Sequence, residues 1–216
     1  MYHFIEDKDF LKKLRSTCSN IVNQLVQLIN NDSVMTVEAH LVGSGARKLE
    51  TQNSNEPVDL DYNLNIVETY EFGINDCRNI KEYVRKQFNI ILNNNGWGDC
   101  QDSTSVLSTE YRHFKHGNQT SFKIDLAIVG ESPKSWFRLI HEKTGFVNQD
   151  RYYWNEAPHS KGLTDKVNKI KACGLWESVR ETYLDKKNMY LKRQDKFHPS
   201  FNCYIEAVNQ VFSQNF

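Results

Sequence analysis

Apolar residues recur along this chain with two different periods, and the places where the period changes mark its elements. In FLKKLRSTCSNIVNQLVQLI, Phe10, Leu14, Cys18, Ile21, Leu25 and Leu28 fall at steps of three and four, which predicts an amphipathic helix ended by NNDS. A short strand, VMTVEAHLV, then leads into Gly43 and Ser44. VDLDYNLNI alternates strictly: Val58, Leu60, Tyr62, Leu64 and Ile66 share one face of a strand, Asp59, Asp61, Asn63 and Asn65 the other. A second helix is predicted over about 75–94, with Ile80, Val84, Phe88 and Ile91 on one stripe and NNNGWGD as its stop. TSVLSTEYRHF and TSFKIDLAIV read as strands joined across KHGNQ in a hairpin. In the second of them Phe122, Ile124, Leu126 and Ile128 face one way, and Lys123, Asp125 and Ala127 the other. A third aspartate therefore also rises from the polar face of a strand.

The remainder reads as helical. ESPKSWFRLIHEKTG predicts a helix opened by Ser132 or Pro133, and NQDRYYWNEAPHS a loop rich in aromatic residues. GLTDKVNKIKACG, with Leu163, Val167 and Ile170 as its inner stripe, LWESVRETYLDKKNMYLKRQ and PSFNCYIEAVNQVFSQ predict three more helices. The expected organisation is a core over residues 1–131, including the N-terminal helix, followed by a helical region over 132–216.

Charge and composition narrow the function. Lys plus Arg and Asp plus Glu both number 27, so no global basic field draws the chain to nucleic acid. No apolar run approaches the ~20 residues of a membrane span, and the start, MYHFIEDKDF, carries no signal-peptide pattern. The reading is a soluble cytoplasmic protein with no membrane partner. Five cysteines, an odd number without a CxxC or Cys/His cluster, read as buried free thiols. Residues 161–198 hold ten Lys or Arg against five Asp or Glu, which reads first as a solvated face with the capacity to meet phosphates.

The order helix, strand, Gly-Ser turn, aspartate strand, helix, hairpin, aspartate strand resembles the polymerase-β-like nucleotidyltransferase superfamily. The matching pieces are GSGAR, which follows the G-S-x-A-R form of its minimal members, the DLD of Asp59 and Asp61, and Asp125 in KIDLAIV; together they cover about residues 30–130. The resemblance implies an α+β fold, a mixed sheet with helices on one side and a C-terminal helical region. It implies transfer of a nucleoside monophosphate from an NTP to a hydroxyl with release of pyrophosphate. Asp59, Asp61 and Asp125 would be the catalytic residues and the ligands of two Mg²⁺ (or Mn²⁺) ions, and Asp125 could take the acceptor's proton. Gly43, Ser44 and Arg47 would bind the nucleotide, with Ser44 as a helix N-cap. Lys166 and Lys171 are the candidates for a triphosphate grip, with Lys169 beside them. One departure is visible: 14 residues separate Ser44 from Asp59, and the polar TQNSNEP looks like a loop insertion.

The chemistry calls for these residue types. Mg²⁺ takes oxygen ligands in octahedral geometry, and two ions about 3.5–4 Å apart can clamp the entering and leaving oxygens of a phosphoryl displacement. Residues two apart on a strand face are about 6–7 Å apart, close enough to share such a pair. Three carboxylates brought together repel one another without cations. The acceptor is left open among a small molecule, a nucleotide and a protein; zero net charge disfavours a long nucleic acid.

Each piece has an ordinary reading as well. D-x-D occurs in solvated strands, Gly-Ser is a common helix start, and a lone Asp on an amphipathic strand is commonly hydrated. Tyr152, Tyr153 and Trp154 could stack on a base or simply cover the core. The R-x4-H spacing from Arg193 to His198 fits some ribonucleases, but Pro199 follows and favours a helix break. The alternative from another class is a non-catalytic module of the same fold that binds nucleotide or masks a protein partner, as an antitoxin does.

Overall fold

The computed structural model describes residues 1–132, 135–157, 162–195 and 198–216. In chain order the elements begin with β1 (Tyr2–Phe4), α1 (Lys8–Asn31), β2 (Met35–Leu41), α2 (Gly43–Arg47), β3 (Thr51–Asn53) and β4 (Val58–Thr69). There follow α3 (Cys77–Asn94), β5 (Gln101–Asp102), β6 (Leu107–Ser108), β7 (Phe122–Glu131), β8 (Trp136–Glu142) and β9 (Arg151–Glu156). The chain finishes with α4 (Leu163–Ala172), α5 (Trp176–Lys192) and α6 (Ser200–Asn215). Its contacts divide it into a sheet unit, Asp7–Lys48 with Pro57–Ala157, and a helical unit of Met1–Glu6, Leu49–Glu56 and the described residues from 162 onward.

The sheet unit is built on β4. Its alternation buries Val58, Leu60, Tyr62, Leu64 and Ile66, as the sequence predicts. β4 lies between β2, antiparallel, and β7, parallel, and the order runs β2-β4-β7-β6-β5, with β8 pairing β7 and β9 pairing β8. α1 starts at Asp7, whose side chain accepts the Phe10 N–H, and buries Phe10, Leu14, Cys18, Ile21 and Leu25. At its end Ile29 rather than Leu28 is the buried residue, because a 3.6-residue period drifts against steps of three and four. α3 buries Ile80, Val84, Phe88 and Ile91, and the two helices pack together over the sheet.

Several expectations are corrected. The helix expected over 132–145 is strand β8: Leu139 and His141 are its buried residues, a period of two in which the inward histidine hid the strand. The aromatic loop is strand β9, paired to β8 from Phe137↔Glu156 to Glu142↔Arg151. The hairpin therefore extends the sheet, and the division expected at 131 falls at 157. TQNSNEP is no plain loop either, since Thr51–Asn53 forms β3 and pairs antiparallel with β1. Ser132 is described, whereas Pro133 lies outside the described residues.

The helical unit packs α4, α5 and α6 around Ile170, Val179, Tyr183, Cys203, Ala207, Val208 and Val211, with Leu49. Asn188 on α5 clamps Tyr2, accepting its N–H at 2.7 Å and donating to its carbonyl at 3.1 Å. Of the five cysteines, all free, four are buried and Cys173 is exposed, against the expectation of burial for all. No helix among the described residues is long and apolar enough to cross a membrane.

A buried ionic node ties α3 to β5 and to the β8–β9 hairpin. Lys81, only 2% exposed, lies 2.7 Å from Asp102 Oδ1 and donates to the Ser103 carbonyl at 2.8 Å. His141 bridges Asp102, 2.7 Å from Nδ1, and Asp150, 2.9 Å from Nε2, and stacks on Tyr152. Removing one member of such a node strands buried charge. Lys81→Met is expected to lower unfolding free energy by about 3–5 kcal/mol in urea titration. A loss within about 0.5 kcal/mol, the range of a surface change, would contradict this account.

Candidate active site

Register decides where the three aspartates meet. In the parallel pairing of β4 with β7, Asp61 is the partner of Asp125 and Asp59 the partner of Lys123. Both strands turn their apolar rows to the core, so these four polar residues share the opposite face. Lys123 reports the convergence: its Nζ lies 2.8 Å from Asp125 Oδ2, 3.0 Å from Asp125 Oδ1 and 3.9 Å from Asp59 Oδ2. Ser108 on β6, opposite Asp125, donates to Asp125 Oδ1 at 2.6 Å.

The Gly-Ser turn closes on the same place. Val42 N–H donates to the Asp61 carbonyl at 2.8 Å, which lays Gly43 against that residue. Gly43 has φ +63°, and a Cβ there would stand 2.3 Å from Asp61 Oδ2, so both backbone and space require glycine. One turn of helix, α2, follows; Gly45 is buried, and a Cβ there would meet Leu60 at 2.9 Å. Ser44 is not the N-cap: Val42 holds that position and Ser44 lies inside the turn, because the strand runs directly into the helix. Arg47 donates from Nη1 to the Gly43 carbonyl at 2.8 Å and braces α2.

The site is short of positive charge. Burial pushes the Asp61 carboxyl up to about 6, with Asp125 and Asp59 adding to the rise against Arg138 and Lys123. Burial also pushes Asp59 to about 6, opposed by Lys123 and aided by Asp125. Asp59 keeps 47% of its side chain exposed, so water screens its shift and Asp61 carries the firmer effect. For Lys123 burial works against the charge, but its bond to Asp125 and the charges of Asp125 and Asp59 prevail and raise it.

The donor set is all oxygen, which fits Mg²⁺ or Mn²⁺. Among the described residues, however, no three His, Cys, Asp or Glu side chains already form a metal-holding group. Two of the three carboxylates, those of Asp125 and Asp59, lie 2.8 and 3.9 Å from the Lys123 ammonium.

Other candidates have partners of their own. Lys166 and Lys171 lie on α4 of the helical unit: Lys166 donates to Asn209 at 2.7 Å, and Lys171 sits over the Trp176 ring. Lys169 lies over Phe216. Tyr152 is taken up by His141, and Trp154 donates from Nε1 to the Ile74 carbonyl at 2.8 Å, which supports the reading of these rings as cover; Tyr153 is exposed. His198 stacks on Tyr190 and lies 2.9 Å from Glu206. A surface cavity of about 710 Å³ along α3, bounded by Phe72, Tyr83, Lys86 and Asp99, shares no residue with the triad. The sequence reading passed over Lys123, Ser108 and Arg138. The strand alternation that placed Asp125 had already placed Lys123 beside it.

Two outcomes follow for the metal-free protein. With Asp61 raised above the ordinary carboxylate value near 4, the native state binds more protons than the unfolded chain between about pH 4 and 6. That contribution to stability is lost as pH rises through this window. Asp7, Glu110 and Asp150 are shifted down and act with the opposite sign, so the readout is the difference between wild type and Asp61→Asn. The gap in melting temperature is expected to move in the variant's favour from pH 4 to 6, and a pH-independent gap would contradict the shift. Gly43→Ala is expected to lose at least about 1–3 kcal/mol to backbone strain alone. Chemical denaturation checks this, and a neutral result would mean that α2 does not approach Asp61 as described.

No family model matches the sequence and no curated protein matches it. Solved structures do match the fold. CdnC from E. coli MS115-1, solved with ATP, is similar with a TM-score of 0.63 at 13% identity, over 95% of this chain and 61% of CdnC. E. coli DncV in its 3'-deoxy GTP bound form gives 0.53 at 13% identity, over 83% of this chain and 47% of that one. The CdnE cyclic dinucleotide synthase of Elizabethkingia meningoseptica, with GTP and Apcpp, gives 0.52 at 12% identity, over 92% and 70%. The chain thus spans less than two thirds of the length of CdnC and DncV. It has the α+β fold that these solved structures share.

Proposed function

We propose that the chain is a nucleotidyltransferase that moves a nucleoside monophosphate from an NTP to a hydroxyl acceptor and releases pyrophosphate. The observation that carries this reading is the parallel register that sets Asp61 against Asp125 with Asp59 two residues away, on one face of the sheet. Asp59, Asp61 and Asp125 are the residues that would hold Mg²⁺ or Mn²⁺. When bound, a pair of such ions supplies the positive charge that steadies the entering and leaving oxygens.

The remaining steps belong to side chains and backbone. Gly43 lets α2 approach the carboxylates, so that the N–H groups of its first turn and the Ser44 hydroxyl meet the phosphates while Arg47 braces the turn. Asp125 accepts the acceptor's proton at a carboxylate oxygen, with Ser108 fixing the orientation of Oδ1. Lys166 and Lys171 are the further candidates for meeting phosphate. The likeness to a cyclic dinucleotide synthase favours a second nucleotide as acceptor over a protein or another small molecule. Free thiols and an NTP substrate suit the cytoplasm.

A second reading, nucleotide binding without transfer, has one observation in its favour, the ammonium of Lys123 seated on Asp125. One experiment separates the two. ATP, GTP, CTP and UTP are titrated calorimetrically with Mg²⁺ into wild type and the Asp59→Asn/Asp61→Asn double variant, and pyrophosphate release is followed in parallel. Transfer predicts metal-dependent binding of at least one nucleotide and pyrophosphate release that falls by about 10³-fold or more in the double variant. Binding with no release by wild type selects the second reading. No binding at millimolar nucleotide by a folded protein removes both.

A further inference from the structure

Lys123 is the one cation in direct contact with two members of the triad among the described residues, and it is held there by design of the strands. The alternation of β7 puts it on the same face as Asp125, two residues on, and the register puts it opposite Asp59. Its ammonium forms a fork with both Asp125 oxygens, at 2.8 and 3.0 Å, and reaches Asp59 at 3.9 Å. The side chain is 18% exposed, and its Nζ also lies 6.0 Å from the ring centre of Tyr111. A lysine on a solvated strand face extends into water; this one folds back over its neighbour.

We propose that Lys123 is a tethered counter-cation that competes with divalent metal for Asp125 and Asp59, so that loading the triad is a displacement rather than a simple binding. The inference rests on the reading of the triad as a metal site and adds a property to it. An ammonium forked across both Asp125 oxygens and a divalent ion drawn to the same oxygens repel one another, so each weakens the other's hold on Asp125. The ammonium must swing off Asp125 as the ion enters, and its four-carbon stem permits this without moving the strand. Until then it offsets the mutual repulsion of Asp125 and Asp59. The consequence is selectivity by threshold: the metal-free site is kept in shape, and the ion binds only where it outcompetes the ammonium.

The test is Mn²⁺ binding to the full chain, read by the loss of the free-ion electron paramagnetic resonance signal and so independent of catalysis. Lys123→Met removes the competitor and is expected to bind Mn²⁺ about tenfold or more tightly than wild type, since losing one charge-assisted bond is worth at least that ratio. Lys123→Arg keeps the charge and is expected to bind no more tightly than wild type. Its behaviour keeps the proposal open to refutation should the Met variant fold poorly. In thermal melts Lys123→Met is expected to melt lower than wild type without metal and to gain more from Mn²⁺. The proposal is overturned if Lys123→Met binds Mn²⁺ no better than wild type, or if Lys123→Arg binds as tightly as Lys123→Met. If wild type binds Mn²⁺ and Asp59→Asn/Asp61→Asn does not, the metal-site reading stands whichever way Lys123 falls. If no form binds at millimolar Mn²⁺, that reading fails and takes this one with it.

Discussion

Everything at the site hangs on a single parallel strand pairing. β4 and β7 run alongside one another for nine residue pairs, from Val58↔Phe122 to Ile66↔Gly130, with α3 among the elements that carry the chain between them. The pairing is fixed by what lies beneath it. Val58, Leu60, Tyr62 and Leu64 are buried in register with Phe122, Ile124, Leu126 and Ile128, and a slip of one residue would turn an apolar row to the polar face and the aspartates to the core. The core therefore selects the register, and the register sets Asp61 against Asp125. The convergence of Asp61 and Asp125 is a by-product of burying apolar side chains.

The cost of that geometry is like charge in one place, and the surrounding residues are arranged to bear it. Lys123 and Ser108 are directed at Asp125, Arg138 lowers the carboxyl of Asp61, and the Asp59 side chain retains partial access to water. None of this removes the frustration, since Asp59 and Asp61 both stay near 6. A site whose carboxylates are still partly unfavourable as anions is one that gains when a cation arrives. Gly43 crowds the same carboxylate, since a Cβ there would stand 2.3 Å from Asp61 Oδ2.

How much of this was readable from the chain follows from period and polarity. α1, α3, β4 and β7 were legible since each is long and keeps one period, and the three aspartates followed from the alternation of β4 and β7. The β8–β9 hairpin was not, for a physical reason. WFRLIHE mixes residues that suit helices with an inward His141, and a buried histidine is affordable only because Asp102 and Asp150, distant in sequence, meet its two nitrogens. A partner that arrives through tertiary structure leaves no local signal. Arg138 was lost with that strand. Lys123 is a different case: its face was known, but the fork to Asp125 depends on a rotamer that periodicity does not give.

The segment between Ser44 and Asp59 passes from one unit of the chain to the other and back. Its extra residues form β3, which pairs with β1, while Leu49 joins the core of α4, α5 and α6. The chain thus leaves the sheet unit immediately after α2 and re-enters it immediately before β4. Lys48, at φ 58°, and Pro57 are the covalent crossings, and each lies within two residues of a candidate site residue, Arg47 on one side and Asp59 on the other. What looked in the sequence like a loop spliced into a phosphate-binding motif is a strand of the helical unit.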